Sequence, residues 1–276
     1  MTTKTRNPNW WEEQDEDGFF GPEYLRQYDG TILTEADTAR QVNFVIKVTG
    51  AQSESTTILD VPCGHGRHTL EFSRRGFRIL GYELNKFFLK QAQEVAFKER
   101  LWHPDTFAVN RINFRQGDMR ELCFENKFDV ALNLFTAMGY FSNDHEDERF
   151  FTGVHRALKP KGMFVVDYLN RDRIIRYFRP NDQRELPDGT VVHTNREYDS
   201  LTGRMHEKRI TLKNNQEVRR VESSVRFYGA HELINLAVKV GFKLWATYGD
   251  FDESALTMDS KRVILIFQKG HPLNLL

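Results

Sequence analysis

One ten-residue stretch constrains this chain more than any other. Ile58-Leu59-Asp60-Val61-Pro62-Cys63-Gly64-His65-Gly66-Arg67 passes from a short apolar run, through a turn with two glycines, into a helical pattern. A strand that turns through glycines into a helix opens a βαβ unit, and in open parallel sheets ligands sit beyond the carboxyl ends of the strands. Two glycines let a ligand approach the backbone with no Cβ in the way. The helix start that follows offers unpaired N–H groups.

The rest of the chain supports such a sheet. Strands are predicted at Thr57 to Val61, Phe77 to Tyr82, Arg111 to Gln116, Phe128 to Leu134 and Met163 to Tyr168. Helices are predicted between them: Arg67 to Arg75, stopped by Gly76; Lys86 to Arg100, with Phe87, Leu89, Ala92, Val95 and Ala96 inward; and His145 to Leu158, ended by Lys159-Pro160-Lys161-Gly162. Strands spaced by helices imply crossovers and a mostly parallel sheet. Ahead of them lies a helix from Thr34, a good N-cap, to Val48. Residues 1–30 are aromatic and acidic, and Gly18 and Gly21-Pro22 are expected to break any helix there. From about 187 to 228 the pattern changes to three antiparallel strands, Thr190 to Asp199, Arg204 to Leu212 and Glu217 to Phe227, joined at Ser200-Leu201-Thr202-Gly203 and Lys213-Asn214-Asn215-Gln216. A helix from His231 to Val240 and strands from Phe242 to Tyr248 and Arg262 to Gln268 then resume the α/β logic.

Composition narrows the function. Lys plus Arg and Asp plus Glu both number 39, so the net charge is zero, and the basic excess of a protein that grips many phosphates is missing. No nucleic-acid partner is therefore expected. No run of eighteen apolar residues occurs and the N-terminal stretch is unlike a signal peptide, so no membrane span and a cytoplasmic location are expected. Only Cys63 and Cys123 are present, and His65 and His68 lie in a glycine-rich turn without a carboxylate at ligand spacing, so no disulfide framework and no metal are expected.

Glu83 ends the second strand, 23 residues after Asp60. An acid there can accept hydrogen bonds from both hydroxyls of a ribose, which suits a nicotinamide dinucleotide or S-adenosylmethionine. A pyrophosphate site wants a third glycine, but Gly64-His65-Gly66 continues as Arg67-His68-Thr69. Asp60 would also repel a pyrophosphate and attract the ammonium of a methionine tail. The residues favour the sulfonium cofactor.

At this point the chain resembles the class I S-adenosylmethionine-dependent methyltransferases, and within them a small-molecule branch whose loop reads D-x-P-C-G-x-G-R-H. The resemblance covers roughly residues 56–170, and 230–268 more loosely. It implies a Rossmann-like α/β sheet, mostly parallel with the last strand antiparallel, helices on both faces and an inserted antiparallel sheet. The expected units are 1–50 (N-terminal lid and helix), 51–186 (cofactor-binding core), 187–228 (acceptor cover or dimerisation sheet) and 229–276 (end of the core). It implies that Asp60, Gly64 and Gly66 wrap the methionine part and that Glu83 holds the ribose, with Pro62, Cys63, Arg67 and Leu84 also binding the cofactor. Gly117, Asp118 and Met119 would bind adenine, with Asp118 on the exocyclic amine. Asn133, Leu134 and Phe135 would line the sulfonium pocket. The aromatics of residues 1–30 read either as a lid, with Tyr24 and Tyr28 as its residues, or as packing of the first helix onto the sheet. Leu158 to Gly162 is similar to the family's L-x-P-G-G turn, with Lys161 in place of its first glycine.

The acceptor is expected to be a small molecule methylated on nitrogen or oxygen, an amine being favoured because no residue stands out as a base by spacing. Tyr140 and His145 are the catalytic candidates, with Asp167, Tyr168, Asn170 and His231 on neighbouring loops. Tyr140 also reads as a packed aromatic, His145 and His231 as surface residues at helix starts, and Asp167 as a cap. Arg171, Arg173, Arg176 and Arg179 read as a solvated helix face or as a site for an anionic acceptor, and Cys63 as a small buried residue. A homodimer through 187–228 is an open expectation. The alternatives are an RNA or protein methyltransferase, an NAD-dependent oxidoreductase, and a non-catalytic binding protein of the same fold. Asn133-Leu134-Phe135-Thr136 lacks the prolines of the nucleic-acid methyltransferases that act on exocyclic amines, which counts against a nucleic-acid acceptor.

Overall fold

The computed structural model describes residues 9–12, 18–28, 33–102 and 111–270. In chain order the elements are α1 (Pro22–Tyr28), α2 (Glu35–Thr49), β1 (Thr57–Asp60), α3 (Arg67–Arg74), β2 (Arg78–Glu83), α4 (Lys86–Lys98), β3 (Ile112–Gln116), β4 (Phe128–Asn133), α5 (Asp144–Ala157), β5 (Leu158–Leu169), α6 (Arg171–Arg176), β6 (Asn181–Glu185), β7 (Val191–Asp199), β8 (Arg204–Lys213), β9 (Gln216–Arg226), α7 (Ala230–Lys239), β10 (Phe242–Tyr248) and β11 (Arg262–Lys269). The main sheet has seven strands in the order β10-β11-β5-β4-β1-β2-β3. β1 to β5 run parallel, while β11 is antiparallel to both β5 and β10.

Period-two alternation explains why both faces are covered. Ile58, Val165, Ile264 and Ile266 point to the face packed by Val42, Val45, Phe72 and Ala92 of α2, α3 and α4. Their neighbours Leu59, Phe164, Val166, Leu265 and Phe267 point to the other face, against Phe150, Phe151 and Val154 of α5 and Leu233 and Ala237 of α7. A strand buried on both faces must be apolar at nearly every position, as these are. The order in which successive strands are added reverses at β1, with β2 and β3 on one side and β4 and β5 on the other. The first loop therefore opens where an α/β sheet leaves a crevice.

Several expectations need correction. Pro22 does not break a helix. It starts α1, because at the first helical position its missing N–H is one that has no partner anyway. On α4 the inward aromatic is Phe88 rather than Phe87, with Leu89, Ala92 and Ala96 beside it. Asn85 accepts from Phe88 N at 3.1 Å and so sets the helix phase. The stretch 158–162 is less a turn than a bulge within β5. Phe128 pairs with Leu158 and Val130 already with Met163, and Lys161 takes a left-handed φ of 63° where the resemblance has glycine. The second sheet has four strands in the order β6-β7-β8-β9, beginning at Asn181 rather than about 187. Its first strand, Asn-Asp-Gln-Arg-Glu, has no apolar residue to mark it.

Candidate active site

The two glycines of the first loop serve different purposes. Gly66 has φ 83°, and a Cβ there would lie 2.6 Å from the Ala92 Cβ, so glycine allows α3 and α4 to meet. Gly64 has φ 56°, and a Cβ there would meet nothing within 4 Å, because its backbone faces an open cleft. Its N–H donates to Glu83 Oε2 at 2.7 Å, and Asn85 N donates to Oε1 at 2.8 Å. Glu83 is 7% exposed. Burial pushes its pKa up, and these backbone bonds oppose the rise. Asp60 is 1% exposed and accepts from Thr69 Oγ1 at 2.6 Å. Burial pushes its pKa up to about 7, and the Thr69 hydroxyl offsets part of the shift.

The cleft has two chambers that share Phe20, Pro62, Glu83 and Tyr140. The first, about 660 Å³, adds Tyr24, Cys63, Gly64, His65, Arg67, Phe88, Leu134 and Phe135 among its walls. The second, about 480 Å³, adds Trp11, Leu84, Asn85, Gly117, Asp118, Met119 and Phe141. A Cβ on Gly117 would collide with the Tyr82 hydroxyl, so glycine lets the second chamber close over that ring. Asp118 faces this chamber, but its carboxylate also holds Arg120 at 2.5 Å, and Arg120 in turn holds Glu146 at 2.7 Å.

Five expected site residues stand outside the chamber walls. Asp60 lies beneath the loop and Gly66 is packed on α4. Asn133 is fully buried and ties two segments together, donating to Val61 O at 3.0 Å and Ala137 O at 3.2 Å. Tyr28 packs behind Tyr24, with ring centroids 4.7 Å apart. His145 is exposed on the first turn of α5, outside both chambers, as its reading as a surface residue at a helix start has it. Sequence reasoning missed Trp11, Phe20, Phe88 and Phe141 as wall residues. The aromatic richness of the first 30 residues was the available signal for two of them.

Arg67 crosses the first chamber. Its Nη1 donates to Thr38 Oγ1 at 2.9 Å, its guanidinium lies 5.3 Å from the Phe135 ring centroid, and burial pushes its pKa down to about 10. Phe135 and Thr136 both have left-handed backbones, φ 65° and 60°. Non-glycine residues hold that conformation only where their surroundings enforce it. Here Asp167 enforces it. Its Oδ2 accepts from Phe135 N at 2.8 Å, its carbonyl accepts from Thr136 N at 2.9 Å, and its Oδ1 accepts from Arg262 Nε at 2.6 Å. Asp167 is thus neither helix cap nor exposed base. Tyr168 donates to Arg226 O at 2.6 Å, Asn170 caps α6 and donates to Ser260 O at 2.9 Å, and His231 is exposed, so none of the three enters the cleft. Of the basic run, Arg171 pairs with Glu232 and Arg176 with Asp259 at 3.0 Å, while Arg173 donates to Asp259 O at 2.9 Å, so three of its four arginines are tied to neighbouring elements.

Burial keeps the cleft's hydroxyls and thiol protonated. It pushes the Tyr24 and Tyr140 hydroxyls and the Cys63 thiol upward. It also pushes His68 well below the usual imidazole range, beside Gln41 Oε1 at 2.7 Å. Cys63 is therefore no nucleophile. Among the described residues no helix is long and apolar enough to cross a membrane, and no group of three or more potential metal ligands converges.

Residues 58–162 match the family described as "Methyltransferase domain". The chain is 24% identical over 229 residues to the putative methyltransferase YqeM of Bacillus subtilis, covering 79% of this chain and 85% of that one. It is 30% identical over 114 residues to the dTDP-3-amino-3,4,6-trideoxy-alpha-D-glucopyranose N,N-dimethyltransferase of Streptomyces venezuelae, covering 41% and 43% of the two chains. Its fold is similar to that of an S-adenosylmethionine-dependent methyltransferase from Clostridium acetobutylicum, with a TM-score of 0.75, 14% identity, and 90% and 98% of the two chains covered. The match falls on the segment that builds the first loop and much of both chambers, and it marks residues 58–162 as a methyltransferase domain that uses S-adenosylmethionine.

Proposed function

We propose that this methyltransferase acts on an amine of a small molecule held in the first chamber. One observation carries the reading. The chamber is walled by Phe20, Tyr24, Phe88, Phe135 and Tyr140, and the two tyrosine hydroxyls are held protonated by burial. Methyl transfer to an amine creates positive charge on nitrogen, which ring faces stabilise by about 0.5–2 kcal/mol each when water is excluded. The partial likeness to a sugar N,N-dimethyltransferase agrees with an amine acceptor.

The chain's residues fit the cofactor. The open backbone at Gly64 leaves room for its amino-acid tail, and Glu83, facing both chambers, keeps lone pairs for two ribose hydroxyls. Leu84, Met119 and Phe141 give adenine an apolar slot, with Asp118 at its edge. When bound, S-adenosylmethionine supplies an activated methyl on a sulfonium. The protein's work is then to align the acceptor lone pair with the S–CH₃ bond and to exclude water.

A hydroxyl acceptor would instead need a base, and His65 is the wall residue suited to that role. The two readings separate on His65→Ala assayed against a panel of amino sugars and their hydroxyl analogues. Retained turnover of an amine supports the proposal. Turnover restricted to hydroxyl compounds and lost in His65→Ala overturns it.

Asp60 predicts a pH dependence. Its pKa in the free protein is about 7, raised by burial, so its charge costs stability above that pH and the cost is relieved as pH falls toward 3.8. Although Asp60 lies beneath the loop and does not line the chamber, its ionised carboxylate attracts the ammonium of the cofactor tail through the low-dielectric interior. Affinity for S-adenosylhomocysteine, measured by calorimetry, is therefore expected to be flat above about pH 7 and to fall toward tenfold per unit below it. In Asp60→Asn the same profile should be flat. A wild-type profile that is flat between pH 5 and 8 would count against the role given to Asp60.

A further inference from the structure

The roof of the cleft is the aromatic segment 18–28 with Trp10 and Trp11, and it rests on the second sheet. Facing the roof, Arg209 of β8 places its guanidinium 4.9 Å from the Phe19 ring and 5.6 Å from the Tyr28 ring. Its side chain is 15% exposed and pairs at 2.5 Å with Glu207, which also pairs with Arg196 at 2.8 Å. The same face sends Arg219 to Gly18 O at 2.5 Å, and the Trp10 indole donates to Ser224 O at 3.2 Å. Yet no residue of 181–226 belongs to the wall of either chamber. Among the described residues the sheet meets the site in two places: through the roof, where Phe19 and Tyr28 pack on Tyr24, and through Arg204, whose Nη1 donates to Phe141 O at 2.9 Å.

We propose that Arg209 is a positioning residue for the methyl-transfer site, gripping Phe19 and Tyr28 so that Tyr24 stays in the wall of the first chamber, and that holding the roof is one task of the second sheet. A cation buried between two rings and a carboxylate fixes orientation as well as distance, which apolar packing alone would not do. The inference rests on the cofactor site proposed above, since roof position is read through occupancy of that site.

The test uses the full chain and S-adenosylhomocysteine, with dissociation followed through the fluorescence of the roof residues Trp10 and Trp11. Arg209→Met should dissociate about tenfold faster than wild type with little change in association, as expected for a loosened closing segment. Amide exchange should quicken over residues 18–28 and stay unchanged over 204–226. Arg209→Lys, which keeps the pair with Glu207 but loses planar stacking, should fall between the two. Tyr28→Leu leaves the buried charges of the sheet intact and should reproduce Arg209→Met. Dissociation within about twofold of wild type in a folded Arg209→Met or Tyr28→Leu protein overturns the proposal, as does faster dissociation without faster exchange over 18–28. If Arg209→Met does not fold, Tyr28→Leu decides. Wild-type protein that ignores S-adenosylhomocysteine would instead remove the cofactor site, and exchange over 18–28 in the variants would still judge the grip.

Discussion

Glu83→Gln is expected to bind S-adenosylhomocysteine about a hundredfold more weakly than wild type. The carboxylate holds the loop through Gly64 N at 2.7 Å and Asn85 N at 2.8 Å, and it faces both chambers. A glutamine keeps the shape but has one oxygen, so it can serve either the loop or the ribose, and its amide NH₂ would face a backbone N–H. Losing two charge-assisted hydrogen bonds at about 1.5 kcal/mol or more apiece gives about 3 kcal/mol, or two decades in Kd. Calorimetry on the folded variant measures this. A Kd within threefold of wild type would remove Glu83 from the ribose site, and an unchanged melting temperature would show that the loss arises at the ligand.

Asp167→Ala should show the largest effect on stability. Asp167 has a side chain 2% exposed and its partner Arg262 one that is 15% exposed. Truncation leaves a nearly buried guanidinium unpaired and takes the acceptor from Phe135 N. Breaking such a pair costs about 3–5 kcal/mol, which in a chain of this size lowers the melting temperature by about 10 °C. The left-handed turn at Phe135 and Thr136 loses its brace as well, so the chamber wall should shift and turnover should fall further than stability alone explains. The double variant Asp167→Leu with Arg262→Met tests this by scanning calorimetry and turnover together. Apolar packing should recover part of the stability without recovering turnover. A single variant melting within 3 °C of wild type would mean the pair braces nothing.

Much of this site was readable from residue order because its chemistry is local. Gly64, Glu83, Gly117 and Met119 lie at or just past the ends of successive strands, and parallel strands bring such ends to one rim. Local chemistry did not separate Gly64, which faces the cleft, from Gly66, which makes room for Ala92. It placed Phe87 inward where the Asn85 cap rotates Phe88 in, and it could not register β6, whose five residues are all polar. It weighed His145 and Asp167 as chemistry, whereas the folded chain exposes one and uses the other as a brace.

Strand and helix periodicity and the glycine turn were settled by the amino-acid order alone, since each depends on neighbours within one turn or one strand, and the acid 23 residues after Asp60 by the length of a single strand–helix–strand unit. Which aromatic walls a chamber, which carboxylate braces Phe135 and what the second sheet rests on were decided only by tertiary contacts. Those contacts join residues as far apart as Trp10 and Ser224, or Phe135 and Asp167. No local pattern encodes them, because burial, and with it the strength and direction of each charge, exists only once distant segments have closed over one another.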